Sequence, residues 1–391
     1  MTDNKKKFTT SPILIAFKEE NQSRDTYGGG VANIVLQGMH MRRPDATNDT
    51  ILVFMHPTAT LDTLPLPREL ARIGVPVLCC GSRYPHNDSA LIMEKVLVDL
   101  GHYIKYARER LGYKNVVLAG WSGGASLSVY YQAQAENPTV IATPSGEPVD
   151  LSGLQPADAI MQMAAHSARA RIMTESMDAS IRNELNPDDK DPKFDIYDEK
   201  NGPRAPYEAG FVEEYRNEQV ARNRRITTWA FETLERLKKN GGPDQERCFV
   251  THGTMADPRW LDPSIDPNER IAGQCYLGVP AVVNNGPIGL ARFATLRSWL
   301  SQWSIDESKA NTALQGPGVT VPAIVIANAA DDCCPPSHTD TIFQSLGGPK
   351  EKHIISGANH YYIGQRDQLN FTIETIITWL KNTRMLKGIP D

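Results

Sequence analysis

The chain has 391 residues, with 41 Lys and Arg against 46 Asp and Glu and a formal net charge of −5. That mild negative charge argues against nucleic acid or an anionic membrane surface as a partner, because both select basic patches. The apolar and charged fractions, 40% and 22%, are those of an ordinary globular protein, and no run of about 18 apolar residues suggests a membrane span.

A chain of this length can bury a substantial core, and suggests one large domain with an insertion or else two domains. The cysteines are Cys79, Cys80, Cys248, Cys275, Cys333 and Cys334. Two adjacent pairs without a Cys-x-x-Cys pattern read as reduced thiols, neither a disulfide framework nor a zinc site. The apolar run Pro12–Phe17, after the basic stretch Met1–Lys7, is too short for a signal-peptide core. No lipidation signal stands at either terminus. The expected location is the cytoplasm.

In chain order, Val31–Met41 alternates like a strand, and ILVFM at Ile51–Met55 reads as a buried strand that stops at His56-Pro57-Thr58. Leu66–Ile73 has helical spacing. Val75–Cys80 is a second buried strand, and Ser89–Leu111 a long amphipathic helix with Asn87, Asp88 and Ser89 as capping candidates. Asn115–Ala119 is a strand running directly into Gly120-Trp121-Ser122-Gly123-Gly124, and Gly124–Ala135 reads as a helix. Ala157–Met163 is a further strand.

After Ser167 the character changes. Asn186–Pro206 reads as loop, Tyr207–Asn240 as one or two helices with Trp229 and Phe231 on an apolar face, and Arg247–Gly289 has turn signals without a period. Leu290–Trp303 is helical in spacing. The alternation resumes with a strand at Ala323–Ala327, a helix at Ser337–Leu346, a strand at Glu351–Ile355 and a helix at Asp367–Asn382. Strands alternating with helices imply an α/β fold with a mostly parallel sheet covered on both faces. Residues 1–167 and 289–391 make up that core. Residues 168–288 interrupt it, and a connection that long is not expected to be bare loop. The expectation is a mainly helical cap over the C-terminal edge of the sheet, where ligands sit in open α/β sheets.

The five residues Gly120–Gly124 match G-x-S-x-G, a pattern that arises by chance roughly once in ten chains of this length. Its placement between a strand and a helix carries more weight. Such a turn holds its serine in a strained conformation, and its neighbours must be small so that strand and helix can approach. Gly120, Gly123, Gly124 and Ala125 meet that need.

With this elbow the sequence resembles the α/β-hydrolase superfamily over about residues 30–167 and 289–385. The resemblance implies an α/β-hydrolase fold with Ser122 as nucleophile. It also implies an acid after a Pro, a buried strand and a turn. Here Pro322 and AIVIANAA lead to Asp331-Asp332, and spacing favours Asp331 over Asp332. His360, in Ser356-Gly357-Ala358-Asn359-His360-Tyr361-Tyr362, resembles the superfamily's C-terminal histidine loop. The order Ser122, Asp331, His360 is that of the superfamily. His338, within an expected helix, and His353, in a strand, read as packed or surface residues.

The oxyanion hole implied by the resemblance has Gly123 N–H as one donor. The other comes from the loop at His56-Pro57-Thr58. Pro57 has no N–H, so Thr58 is the expected second donor and His56 a structural residue. In this scheme His360 takes the Ser122 proton, Asp331 orients the imidazole, and water cleaves the acyl-enzyme. No metal or organic cofactor is needed. The expected substrate is a carboxylic ester or lactone of an apolar or aromatic small molecule. Trp229, Phe231, Trp260, Tyr276, Phe293, Trp299 and Trp303 are candidates either for an apolar cleft or for the cap's own core. The alternatives are hydrolysis of a carbon–carbon bond in a diketone or ring-cleavage product, and a ligand-binding protein without activity. A homo-oligomer is compatible with the sequence.

Overall fold

The computed structural model describes residues 8–19 and 32–386. Met1–Lys7, both chain ends read for targeting and lipidation signals, and Val31, the expected start of the first strand, lie outside the described residues. Ten strands are described: β1 (Thr9–Lys18), β2 (Asn33–Arg42), β3 (Thr50–Met55), β4 (Val77–Cys80), β5 (Asn115–Ser122), β6 (Ala159–Ala165), β7 (Cys248–Val250), β8 (Phe293–Thr295), β9 (Ala323–Asn328) and β10 (Lys350–Ile355). Eight of them form one sheet in the order β1-β2-β4-β3-β5-β6-β9-β10. β1 and β2 are antiparallel to their neighbours, and the other pairings are parallel.

The inner parallel strands are largely apolar because both of their faces are covered, whereas the parallel edge strand β10, KEKHII, is mostly open to solvent. Their alternation shows in the packing. Ile51, Val53 and Met55 of β3, with Val116 and Leu118 of β5, enter a core beneath the helices α2 (Met93–Glu109) and α3 (Gly124–Glu136). Leu52 and Phe54, with Val117, Ala119 and Trp121, enter the opposite core, which α1 (Pro65–Ile73) and the C-terminal helix Arg366–Asn382 cover. This is the two-residue period of a strand written into two separate hydrophobic layers.

The strand β1 departs from expectation, since only the Pro12–Phe17 run stood out there, and as too short for a targeting core. Ile13 is its one buried residue, so there is little burial signal to read. At the edge of the sheet, Pro12 costs no interior ladder bond. Two helix boundaries also differ. The expected helix from Ser89 begins at Met93, because the Ser89 carbonyl accepts the Thr295 N–H at 2.8 Å and the Asp88 carbonyl accepts Gln302 Nε2 at 2.8 Å. The stretch expected to be helical from Leu290 is extended over Phe293–Thr295, where β8 pairs antiparallel with β7. Helical turns follow at Leu296–Ser298 and Trp299–Trp303.

Residues 168–303 hold α4 (Arg169–Ser176), the 33-residue helix α5 (Ala209–Gly241) and three further apolar clusters. Met173, Ile226, Ala230, Leu234, Trp299 and Trp303 form one of them. Asn223 fastens α5 to this layer by donating to Thr174 Oγ1 and to the Trp303 carbonyl, both at 2.9 Å. Among the described residues no helix is long and apolar enough to cross a membrane, and the six cysteines are free thiols.

The ends of β3 and β5 meet tightly. A Cβ on Gly124 would lie 2.2 Å from the Met55 carbonyl oxygen, and one on Gly120 would lie 2.6 Å from the Ala125 Cα. Both obstacles are backbone, so neither can step aside. Gly124→Ala should therefore destabilise the protein by about 2–3 kcal/mol in urea unfolding, the scale of core overpacking. A loss below about 0.5 kcal/mol would mean that this close approach does not constrain the fold.

Candidate active site

Ser122 is the last residue of β5, with φ 52°. A serine in the left-handed region is held there against its own preference, by the strand before it and the helix after it. The register of β5 against β6 shifts between Trp121 and Ser122, with Ala164 of β6 left over at a φ of 43° and Ser122 paired with Ala165. Gly123 and Gly124 let the turn lie against the end of β3, and Ser122 stands partly exposed at that edge.

Asp331 and His360 come from the loops after β9 and β10. Asp331 Oδ2 lies 2.8 Å from His360 Nδ1. Its other oxygen accepts the Cys333 and Cys334 N–H groups at 2.7 and 2.8 Å. The carboxylate is thus fixed at both ends, and both residues are buried. Asp332 turns elsewhere. Its backbone carbonyl accepts the Trp260 indole at 2.8 Å, and burial, then the Asp331 charge, raise its carboxyl pKa. Only Asp331 of the two acids bonds the imidazole. Burial alone would lower the His360 pKa; the Asp331 charge, aided by Cys333, outweighs it and raises the value to about 9.

His360 Nε2 is buried and makes no hydrogen bond among the described residues. The Ser122 side chain lies instead against the Cys334 thiol. That thiol is within 4.8 Å of a His360 ring nitrogen. Serine, acid and histidine are brought into one cluster, with the Ser122–His360 bond unmade.

The oxyanion side differs from expectation. The Thr58 N–H donates to His56 Nδ1 at 3.2 Å, and the Ala59 N–H donates to the same nitrogen at 3.0 Å. In this structure the Thr58 N–H is thus engaged with the imidazole and does not face the Gly123 side of the elbow as a free donor. Burial, then Arg169 and His360, lower the His56 pKa to about 3. The ring is therefore neutral at ordinary pH. With Nδ1 accepting, the hydrogen-bond network assigns its proton to Nε2. That Nε2 lies 2.8 Å from where a Cβ on Gly123 would be, and Arg169 Nη1 lies 3.0 Å from the same point. Two side-chain donors thus flank the residue after Ser122. Neither was legible as a donor: His56 sits in a loop whose backbone drew the expectation, and Arg169 opens a short helix with no motif around it.

The remaining histidines divide clearly. His338 is packed: its Nδ1 accepts the Ser167 N–H at 3.1 Å, and its Nε2 meets Glu175 at 2.8 Å. His353 is on the edge strand beside Glu351. His166, at the end of β6, is buried near Arg169, His56 and His360, and burial first, then His338, hold its pKa well below the usual range.

The aromatic candidates divide too. Trp299 and Trp303 are core, Phe293 is exposed, and Phe231 packs on the edge of that core. Trp229 lines an open groove of about 720 Å³ on α5, together with Asn217, Val220 and Arg224. Tyr276 is near Cys333, Cys334 and Arg169, and Trp260 holds the Asp332 carbonyl. The space behind Asp331, bordered by Trp260 and Arg259, is about 10 Å³, no larger than a water needs.

Cys333, Cys334 and His360 present three ligand atoms within 4.8 Å of one another. Two sulfurs and an imidazole suit a soft or borderline ion. Asp331 occupies Nδ1, so Nε2 is the nitrogen left to ligate, and an ion there would take the lone pair that a general base needs.

No family model matches the sequence, and no curated protein does. Many solved structures match in shape. An α/β hydrolase, GrgF from Penicillium sp. sh18, is 12% identical with a TM-score of 0.51, over 95% of this chain and 99% of that one. DcsB, solved with its substrate analogue, is 11% identical with a TM-score of 0.49 over 95% and 99%. Est1E from Butyrivibrio proteoclasticus is 11% identical with a TM-score of 0.46 over 90% and 95%. The likeness to GrgF and the sheet order show that this chain has the α/β-hydrolase fold.

The His360 imidazole should titrate near pH 9 by NMR, and in Asp331→Asn it should titrate lower than in the wild type, because the largest of the charges that oppose burial is gone. A wild-type midpoint at or below about 6.5 would contradict the Asp331–His360 pairing.

Proposed function

We propose that this α/β-hydrolase-fold chain is a serine hydrolase that cleaves a carboxylic ester or lactone of a small molecule through an acyl-enzyme on Ser122. The observation that carries the reading is one cluster. Ser122, strained at φ 52° on the elbow, shares the Cys334 thiol with His360, whose Nδ1 is 2.8 Å from a carboxylate fixed on both oxygens.

Unaided, a serine hydroxyl is a weak nucleophile. A turn of the Ser122 side chain away from Cys334 would bring its hydroxyl towards His360 Nε2, which has no other partner among the described residues. His360 then accepts the proton as the Ser122 oxygen attacks the carbonyl carbon, and Asp331 stabilises the imidazolium. The oxyanion is received by the Gly123 N–H, with the His56 Nε2–H as second donor in place of Thr58. One such donor contributes about 3 kcal/mol to lowering the barrier. His360 returns the proton to the leaving alcohol, and then activates the water that releases the acid. Residues 168–288 act as the cap that roofs this edge, and its packing runs on through Trp303.

A fluorophosphonate should label the protein at Ser122 and leave Ser122→Ala unlabelled. Folded protein that resists the probe would favour a ligand-binding role. Catalysis needs neutral His360, so kcat/KM should rise with pH and level off above about 9. At pH 7 only on the order of 1% of His360 is then in the base form. A profile already flat at pH 7 would contradict this assignment of the base.

A further inference from the structure

We infer that Arg169 is the anchor for a carboxylate on the substrate, so that the ester or lactone cleaved at Ser122 is that of an acidic molecule. This rests on the serine-hydrolase reading for the reaction, though the anion site itself can be measured without turnover.

Three buried guanidinium groups elsewhere in this protein are ringed by acceptors, whereas Arg43 Nη1 and Arg292 Nε, like Arg169 Nε, have none among the described residues, and Arg292 bonds only the Thr251 and Asn284 carbonyls. Arg83 is held by Asp99 at 2.8 Å and Glu19 at 2.7 Å. Arg259 meets Glu175, Asp257 and Asp266. Arg222 meets Glu184 at 2.7 Å and three backbone carbonyls. Each is surrounded by acceptors, as a charge taken out of water must be.

Arg169 is as buried as these and is not so surrounded. Its single hydrogen bond runs from Nη2 to Asp88 Oδ2 at 2.7 Å, and Asp88 is partly exposed. Nε is sealed from solvent with no acceptor. Nη1 makes no hydrogen bond among the described residues, and it points at Gly123, 3.0 Å from the position a Cβ would take. Burial lowers the Arg169 pKa in spite of Asp88. The imidazoles beside it, His56 and His166, are neutral for the same reason. No second carboxylate bonds it.

The guanidinium is nevertheless held in place. Its central carbon lies over the Trp303 ring, 4.4 Å from the ring centre, a cation–π contact that desolvates one face. A fixed cation with an unfilled donor, one residue from the nucleophile, is a receptor for a single negative charge. A carboxylate matches it in charge and accepts from N–H groups in the guanidinium plane. Seated on Nη1, that carboxylate would lie beside Gly123, and on this proposal it belongs to the acyl part, which stays joined to Ser122 after the first step.

The test compares 4-nitrophenyl hydrogen glutarate with 4-nitrophenyl valerate, which has the same chain length without the charge. The wild-type protein should prefer the glutarate ester. Arg169→Gln should lower kcat/KM on that ester about 50-fold more than on valerate, the scale of a hydrogen bond between charged groups. Arg169→Lys should restore part of the difference. Free glutarate should bind Ser122→Ala protein in calorimetry, and the Arg169→Gln change should abolish that binding. Asp88→Asn should tighten it, because the competing carboxylate is gone. Equal losses on both esters would overturn the proposal by making Arg169 an oxyanion donor or a structural residue. Failure of glutarate to bind folded Ser122→Ala protein, or unchanged binding in Arg169→Gln, would overturn it as well. If neither ester turns over but glutarate binds through Arg169, the anion site stands and the hydrolase reading fails.

Discussion

The arrangement of the candidate site depends on the close approach of two strand ends. Where β5 turns into α3, the missing side chains of Gly123 and Gly124 let the elbow rest against the Met55 carbonyl and the His56 ring. A methyl group at Gly124 would meet the Met55 carbonyl oxygen at 2.2 Å, and one at Gly123 would meet the His56 ring at 2.8 Å. With the approach made, Ser122 is forced into the left-handed region and His56 and Arg169 come to bear on the same point. Strain at one residue, tolerated because its surroundings over-determine it, sets the geometry for several others.

Charge is handled differently on the two sides of Ser122. On the Asp331–His360 side a full negative charge is buried, and it is satisfied completely: two backbone N–H groups on one oxygen and an imidazole on the other. That pairing raises the affinity of His360 for a proton. On the Gly123 side the buried charge is positive and incompletely satisfied, beside two imidazoles that burial keeps neutral. A reaction that moves negative charge from serine towards a carbonyl oxygen runs along this gradient.

Much of the sheet was legible because the central strands are short apolar runs bounded by turns. ILVFM, NVVLA and AIVIA admit little else once helices lie between them. The edge strand β1 was not, since a strand with one buried residue carries no pattern. The helix start at Met93 and the extension at Phe293–Thr295 were hidden for a different reason. Both are set by hydrogen bonds between segments 200 residues apart, such as Ser89 to Thr295. The elbow serine and the C-terminal histidine were readable from position along the chain, whereas Asp331 and Asp332 differ only in where the loop points them. His56 and Arg169 show the limit most plainly. A tautomer is decided by two N–H groups, and a buried cation is conspicuous only when its missing partners can be counted.

Trp303 lies against the Arg169 guanidinium, yet it belongs to the layer packed against α5, while Ser122, Asp331 and His360 belong to the sheet. Chemistry and selectivity therefore have different structural owners. Substitutions that repack the helical layer could reorient or release the guanidinium without touching the nucleophile or its base. Over evolutionary time such a division lets the preferred acyl group drift from charged to neutral while the bond-breaking apparatus stays the same. For an engineer it marks the Trp303 face, rather than the elbow, as the place to begin.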